Sequence, residues 1–451
     1  MEYDLVGIGF GPANISLAIA LDEIGWHGSM HFIERCDEPG WQPGMLLDGT
    51  DIQHHPLRDL VTPRNPQSKY GFLSFLSAQG RMFEFLNLGI PFALRKDYAA
   101  YIRWVARQFD RVVSYSQEVV DILVVPGGRR PGEGLRFEVR TRDGKSVRAR
   151  ALSFAPGRTP LVPDVFAPHL GDRVVHFTQY LGALSRWKQA GEMRSIAVVG
   201  ASQSAIEIVL DLKRQLPTTE IHNIQRGFSY QLKDTSPFTE HAYFPQFVDY
   251  FFQMSEKQQR AMSSSIRRSN YGAADHDVIH QLYLAMYEQK LDGQPTIRLH
   301  TNQNVDRVTT DGSRSIVLDL IEQNHGDRTA LNVDAVILAT GFRNFGSGEE
   351  QELFPPLLSK LVPYARRRES GSLSISRDYR LETEADCRLP PIFINGLCES
   401  THGLGDAGSF SLLALRSWKI ATSLIDMLGV ESGRPLARVD RDTQSVAARW
   451  G

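Results

Sequence analysis

Two apolar strands each run into a turn of small residues and then a helix. The turns lie about 190 residues apart, which predicts an α/β fold built on two Rossmann-like dinucleotide-binding domains. A change of composition between Ser236 and about Gly293, where aromatic side chains cluster before helical patterns, adds a mostly helical insertion. The 451 residues are enough for two or three domains at roughly 100–200 residues each.

The first unit opens on residues 3–8, a short apolar run suited to a buried parallel strand. Gly7-Ile8-Gly9-Phe10-Gly11-Pro12 supplies the turn, residues 13–21 have helical composition, and residues 31–34 read as the next strand. The glycines allow a tight turn and close approach of a pyrophosphate, which then faces free N–H groups at the helix start. Pro12 stands where the third glycine of the fingerprint is usual. Glu34 ends the second strand 25 residues after Gly9, the place from which a carboxylate accepts hydrogen bonds from a ribose diol. An acidic residue there favours FAD or NAD over NADP. The cluster of Pro, Gly and Arg over 126–134 reads as an exposed hairpin loop.

The second unit repeats the pattern, with a strand at 196–199, the turn Gly200-Ala201-Ser202-Gln203-Ser204-Ala205, a helix at 206–216 and a strand at 221–225. Ser202 and Ala205 depart from the glycine pattern, but small side chains still permit close approach and the hydroxyls of Ser202 and Ser204 can donate to phosphate. Arg226, not an acid, ends the following strand, with Lys233 nearby. A cation there pairs with a 2′-phosphate and selects NADPH. A third apolar strand, 335–339, ends in Thr340-Gly341, and Ala155-Pro156-Gly157 resembles an equivalent crossing in the first domain. The last 20 or so residues are polar and without periodicity, as in a disordered tail.

Composition removes several classes of function. Lysine plus arginine number 50 and aspartate plus glutamate 52, a net charge of −2 that offers no field to nucleic acid or anionic lipid. Hydrophobic residues at 42% and charged residues at 23% describe an ordinary globular chain rather than a disordered one. Cys36, Cys387 and Cys398 form no CxxC, which argues against a disulfide scaffold, a structural zinc site and a dithiol reductase. His54, His55 and His402 lack metal-ligand spacing, so no metal is expected. The N-terminal apolar run is broken by glycines and lacks a basic flank. Nowhere do about 18 apolar residues run unbroken, so no membrane span is expected and the cytoplasm is the expected location.

Taken together, the first turn with its distal Glu34, the second with its distal Arg226, and the Asp334–Phe342 stretch resemble the two-dinucleotide flavin monooxygenases. Four stretches narrow the resemblance: residues 53–76 (QHHPLRDLVTPRNPQSKYGFLSFL), 234–245 (DTSPFTEHAYFP), 270–277 (NYGAADHD) and 401–413 (THGLGDAGSFSLL). These look like the N-hydroxylating monooxygenases of siderophore biosynthesis, which include L-ornithine N5- and L-lysine N6-monooxygenases and diamine-acting relatives. The resemblance covers roughly residues 3–425. It implies that NADPH reduces bound FAD, that a C4a-hydroperoxyflavin forms with O2, and that a neutral primary aliphatic amine becomes its N-hydroxylamine. The flavin carries the oxygen chemistry, so no side-chain nucleophile is required. The amine must be deprotonated, so activity should rise with pH through its apparent pKa.

The resemblance divides the chain into a first FAD-binding part at 1–165, a first NADPH-binding part at 166–235, the substrate-binding insertion at 236–295, a return to the NADPH domain at 296–345 and a C-terminal FAD-binding part at 346–451. It implies FAD contacts from Gly7, Gly9, Gly11, Pro12, Glu34, Trp41, Gln53, Ser411 and Leu413, with Gln53 beside flavin and substrate. NADPH contacts fall on Gly200, Ser202, Gln203, Ser204, Arg226 and Lys233. Arg58, Glu240, Asn270 and Leu412 fall on substrate positions, and a homo-oligomer, dimer or tetramer, is implied.

Two substrate positions depart from the amino-acid hydroxylases. Their lysine is Arg58 here and their first asparagine is Glu240; only Asn270 is retained. A glutamate repels a substrate carboxylate and suits a distal ammonium, an ion pair at 4 Å being worth ~4 kcal/mol at an effective dielectric of 20. This favours a diamine such as putrescine or cadaverine. The alternative, L-ornithine or L-lysine, requires Arg58 to neutralise Glu240 or to clamp the carboxylate itself. Competing readings are a Baeyer–Villiger or sulfur-oxidising flavin monooxygenase, suggested by His176-Phe177-Thr178-Gln179-Tyr180, and a non-catalytic dinucleotide-binding sensor.

Overall fold

A computed structural model describes residues 1–127, 134–191, 193–311, 315–385, 387 and 389–433. The polar tail and the centre of the 126–134 loop lie outside the described residues.

The first sheet carries the N-terminal unit. Its parallel core runs Val113–Ser114, Met30–Ile33, Glu2–Ile8, Ser146–Phe154. Val119–Pro126 and Leu135–Thr141 extend it as an antiparallel meander from the start of Ser146–Phe154, whose far end pairs in parallel with Ile392–Ile394. The chain therefore returns to its first domain near the C-terminus. Residues 5–8 are buried, as the uninterrupted apolar run requires of a central parallel strand. The helix Pro12–Ile24 follows with proline at its first position and closes on Gly25 in the left-handed region. It is buried nearly all round because the C-terminal helix Leu413–Leu428 packs against it and a second core cluster, with Tyr98, Tyr101 and Ile102, receives Ile15, Ala18 and Ile19.

The second sheet is wholly parallel, in the order Ile297–His300, Glu220–Ile224, Ser195–Val199, Ala335–Leu338, Val174–His176. A three-stranded antiparallel ribbon, Gln303–Asp311, Ser315–Glu322 and Arg328–Val333, links its outer strand back to Ala335–Leu338. In each sheet the strand that runs into the small-residue turn is central, with the next two strands of the sheet in chain order on one side and a later strand, Ser146–Phe154 or Ala335–Leu338, on the other. The crevice at the central strand's C-terminal end is where such sheets hold ligands.

The insertion is helical, with a 3-10 turn at Thr239–Tyr243 and helices at Pro245–Phe252 and Glu256–Ser265. Both helices pack against Glu399–His402 of the returning chain. The next helix, His276–Leu291, behaves differently. It packs on Gln203–Gln215 and leads into Ile297–His300, so it is the crossover helix of the second sheet, although the expected domain division includes it in the insertion at 236–295. Leu282 and Ala274 belong to that sheet's core, with Val278, Ile279 and Met286 packed against it. No helix among the described residues is long and apolar enough to cross a membrane.

Candidate active site

The two small-residue turns have the same backbone solution. Gly9 has φ +80° and Gly200 φ +143°, and a Cβ on either would collide with a carbonyl oxygen, of Ala155 and Ala339 respectively. Each turn is thus wedged against the strand end that sequence analysis singled out as a crossing. Gly7 sits inside the first strand, Gly11 is the N-cap and Pro12 the first residue of the helix. Among the described residues no side chain caps that helix start, which leaves its N–H groups facing the crevice. Glu34 lies beside the turn. Its Oε2 accepts from the Phe10 N–H at 2.7 Å and its Oε1 from the Cys36 N–H at 2.9 Å, and each oxygen keeps a lone pair for a ribose hydroxyl. This donor set fits FAD.

Trp41 meets Phe410 edge-on at 5.3 Å, and His54 and Tyr98 close the same aromatic cluster. Burial holds the His54 imidazole down at about 4, so it is neutral, and its Nε2 is buried with no hydrogen-bond partner among the described residues. Leu413 lies in the core beneath, with Phe10 and Phe410.

Between the sheets lies a cavity of about 750 Å3, lined by Gly200, Ser202, Gln203, Ser204, Arg226, Lys233, Gln53 and Asn270. Six basic side chains (Arg95, Arg158, Arg226, Lys233, Arg267, Arg343) line it against three acidic ones (Asp164, Glu349, Glu350), a positive wall that fits a dinucleotide with an extra phosphate. Arg226 is exposed, with its Nη2 2.8 Å from Glu350 Oε1. Lys233, expected beside it, is instead nearly buried. Its Nζ lies 3.8 Å from Asp275 Oδ1, and the other oxygen of that carboxylate accepts from Gln53 Nε2 at 2.6 Å.

Gln53 has φ +58°, an uncommon left-handed conformation for a side-chain-bearing residue, held by its N–H donating to Asp51 Oδ1 at 2.9 Å. Asp275 also joins the second turn, since its N–H donates to Gln203 Oε1 at 2.9 Å. Gln203 Nε2 in turn donates to Glu207, which receives two hydrogen bonds from buried Arg95, each at 2.9 Å. A continuous polar chain thus runs from Arg95 through Glu207, Gln203 of the second small-residue turn and Asp275 to Gln53.

Residues expected at substrate positions approach the segment 408–411. Arg58 Nη1 donates to Glu240 Oε2 at 2.9 Å and to Ser411 Oγ at 3.3 Å. Glu240 is therefore already faced by a cation. Asn270 approaches the same segment at Gly408, where a Cβ would stand 2.7 Å from its Nδ2. That amide nitrogen is buried with no partner among the described residues. Leu412 packs over Gly405. Sequence reasoning did not pick out Arg95, Glu207, Asp275, Gln42, Arg158 or Tyr271. Gln42, like Gln53, lines the cavity with a positive φ, 47°. A strained non-glycine residue shows only in coordinates.

Comparison with known proteins decides the family. Residues 1–344 match the model of the L-lysine 6-monooxygenase/L-ornithine 5-monooxygenase family. The chain belongs to it. As a member, the protein is an N-hydroxylating flavin monooxygenase that uses FAD and NADPH. It is 36% identical over 407 residues to an L-ornithine N(5)-monooxygenase of Burkholderia cepacia, covering 89% of this chain and 90% of the relative. An ornithine N-hydroxylase of Kutzneria sp. 744, in a structure with reduced FAD, NADP+ and L-ornithine, matches with TM-score 0.85 and 31% identity over 94% of this chain and 99% of that one. The cadaverine monooxygenase of Erwinia amylovora shares the fold, with TM-score 0.80 over 97% of each chain, but only 23% identity.

Proposed function

We propose that the protein N-hydroxylates the side-chain amine of an L-amino acid, L-ornithine in preference to L-lysine, for a hydroxamate siderophore. The Arg58–Glu240 pair carries this reading. The α-end of an amino acid bears one carboxylate and one ammonium, and the pair offers one partner to each: a guanidinium fork for the carboxylate and a carboxylate for the ammonium. The distal ammonium of a diamine would compete with Arg58 for the single carboxylate of Glu240. The charge inversion that favours putrescine or cadaverine when Glu240 is considered alone is cancelled by its neighbour. The Asn270 amide and Ser411 hydroxyl supply further donors. The ornithine-acting relatives at 36% and 31% identity support the same choice.

In this reading Gly7, Gly9, Gly11, Pro12 and Glu34 hold the adenosine half of FAD, and Trp41, Gln53, Ser411 and Leu413 surround its ring. Gly200, Ser202, Gln203, Ser204 and Arg226 hold NADPH. Lys233 acts through Asp275 on Gln53 instead of reading phosphate. When bound, FAD supplies oxygen activation and NADPH the electrons; the chain binds, orients and excludes water. The protein works in the cytoplasm, in keeping with three unpaired cysteines. It works as a homo-oligomer, dimer or tetramer, supported by exposed Phe83, Leu86 and Leu88 on one short helix and Tyr283, Tyr287 and Leu291 along another.

The test is hydroxylamine formed per NADPH consumed with L-ornithine, beside methyl phenyl sulfide and a cyclic ketone. Coupled hydroxylamine is the expected result. Sulfoxide or ester instead, or peroxide alone, would overturn the assignment.

A further inference from the structure

We infer that Arg267, carried by the helical insertion, reads the 2′-phosphate of NADPH together with Arg226, and that Glu350 holds both arginines apart from the nucleotide. The inference rests on the proposed role of Arg226. Glu350 is gripped from two sides: its Oε1 lies 2.8 Å from Arg226 Nη2 and its Oε2 3.8 Å from Arg267 Nη2. The three residues come from three parts of the chain. Arg226 follows the strand Glu220–Ile224, Arg267 opens the 3-10 turn Arg267–Ser269, and Glu350 precedes the short strand Gln351–Glu352. All three line the cavity that contains the Gly200–Ser204 turn.

A carboxylate between two guanidinium groups stands where a stronger anion fits better. Glu350 brings one negative charge, so the corner keeps an excess positive charge. A phosphate monoester brings about −1.5 to −2 near neutral pH and three acceptor oxygens, enough to balance and bond both arginines. The pairs are weakly held and exchangeable, since the side chains of Arg226, Arg267 and Glu350 are 72%, 58% and 40% exposed. The cavity's other cations have partners of their own: Lys233 faces Asp275, whose carboxylate also accepts from Gln53, Arg95 is bound to Glu207, Arg158 donates to the Tyr271 hydroxyl, and Arg343 donates to the carbonyls of Glu349 and Gln351. Arg267 therefore supplies the second charge, and the insertion that carries Glu240 and Asn270 also helps select the nucleotide.

The experiment is equilibrium titration of the FAD-loaded protein with NADP+, NAD+ and 2′,5′-ADP, followed by calorimetry. Arg267→Ala should weaken NADP+ and 2′,5′-ADP about tenfold or more, the worth of a charged hydrogen bond, and leave NAD+ within about twofold. Glu350→Gln should tighten NADP+ and 2′,5′-ADP and not NAD+. Equal shifts for NADP+ and NAD+ in Arg267→Ala, or none in either, would overturn the inference. Arg267→Gln answers if the alanine variant loses FAD. Arg226→Ala separates the two levels. If it discriminates the nucleotides and Arg267→Ala does not, only Arg267 is wrong; if neither discriminates, the reading of Arg226 falls too.

Discussion

Arg58 and Glu240 show how a substrate reading depends on pairs of side chains. Each departs from the family pattern, and each alone misdirects: an arginine suggests a stronger carboxylate clamp, a glutamate a cation reader. At 2.9 Å they form one element with both charges. Their identities were legible in the sequence, but the pairing was not, because 182 residues separate them and only the fold brings them together. Glu240→Gln should raise KM for L-ornithine about tenfold, ~1.4 kcal/mol of lost binding, with NADPH-driven flavin reduction unchanged in stopped flow. An unaltered KM would remove Glu240 from the site. Glu399 makes a second residue-scale case. It accepts from the Tyr271 hydroxyl and, at 3.1 Å, from Asn344 Nδ2, and burial pushes its carboxyl up to about 7. The folded state therefore holds this proton where the unfolded chain, near 4.5, has lost it. Its contribution to stability is full below about 4.5 and is lost as pH rises through about 7. Glu399→Gln should gain urea resistance relative to wild type at pH 8 and lose that advantage at pH 5; a gain independent of pH would contradict the assignment.

At the scale of elements, strand–turn–helix units were the most legible part of the chain. Buried parallel strands write themselves as apolar runs, and small-residue turns mark where they end. The strands read at 3–8 and 196–199 fall within one residue of Glu2–Ile8 and Ser195–Val199. The helix His276–Leu291 was less legible because composition identifies a helix but not the layer that receives its apolar face. Its partner is the helix Gln203–Gln215, and only sheet order shows that it is a crossover. The turns give the sharpest element-scale expectation. Gly9→Ala forces a Cβ into the Ala155 carbonyl at φ +80°, so the first turn must open and the purified protein should lose most of its FAD absorbance. Retained stoichiometric FAD would show that the turn does not need its glycine.

For the whole molecule, the relation of the two sheets to one another matters most, and no local pattern in the sequence reports it. Arg95 begins a helix of the first domain and Glu207 lies on the nucleotide helix of the second; their side chains are 9% and 3% exposed. Arg95 also donates to the backbone carbonyls of Met45 and Asp51 at 3.0 and 3.1 Å, so the pair is fully bonded at the seam. Arg95→Ala leaves a buried carboxylate without its cation and should cost about 3–5 kcal/mol, read as a lowered urea midpoint, while Arg95→Met with Glu207→Leu should recover most of it. A midpoint unmoved by the single substitution would mean the seam is held elsewhere. Through Gln203 and Asp275 the same chain reaches Gln53, tying domain placement to the active site. The central claim is that this frame presents a paired cation and anion to the α-end of an amino acid. L-ornithine and putrescine differ by the α-carboxylate alone, so the ratio of their kcat/KM values for hydroxylamine formation tests it most directly. A ratio of about 100 or more in favour of L-ornithine is expected, the worth of one lost charged contact of about 3 kcal/mol; a ratio at or below unity would contradict it.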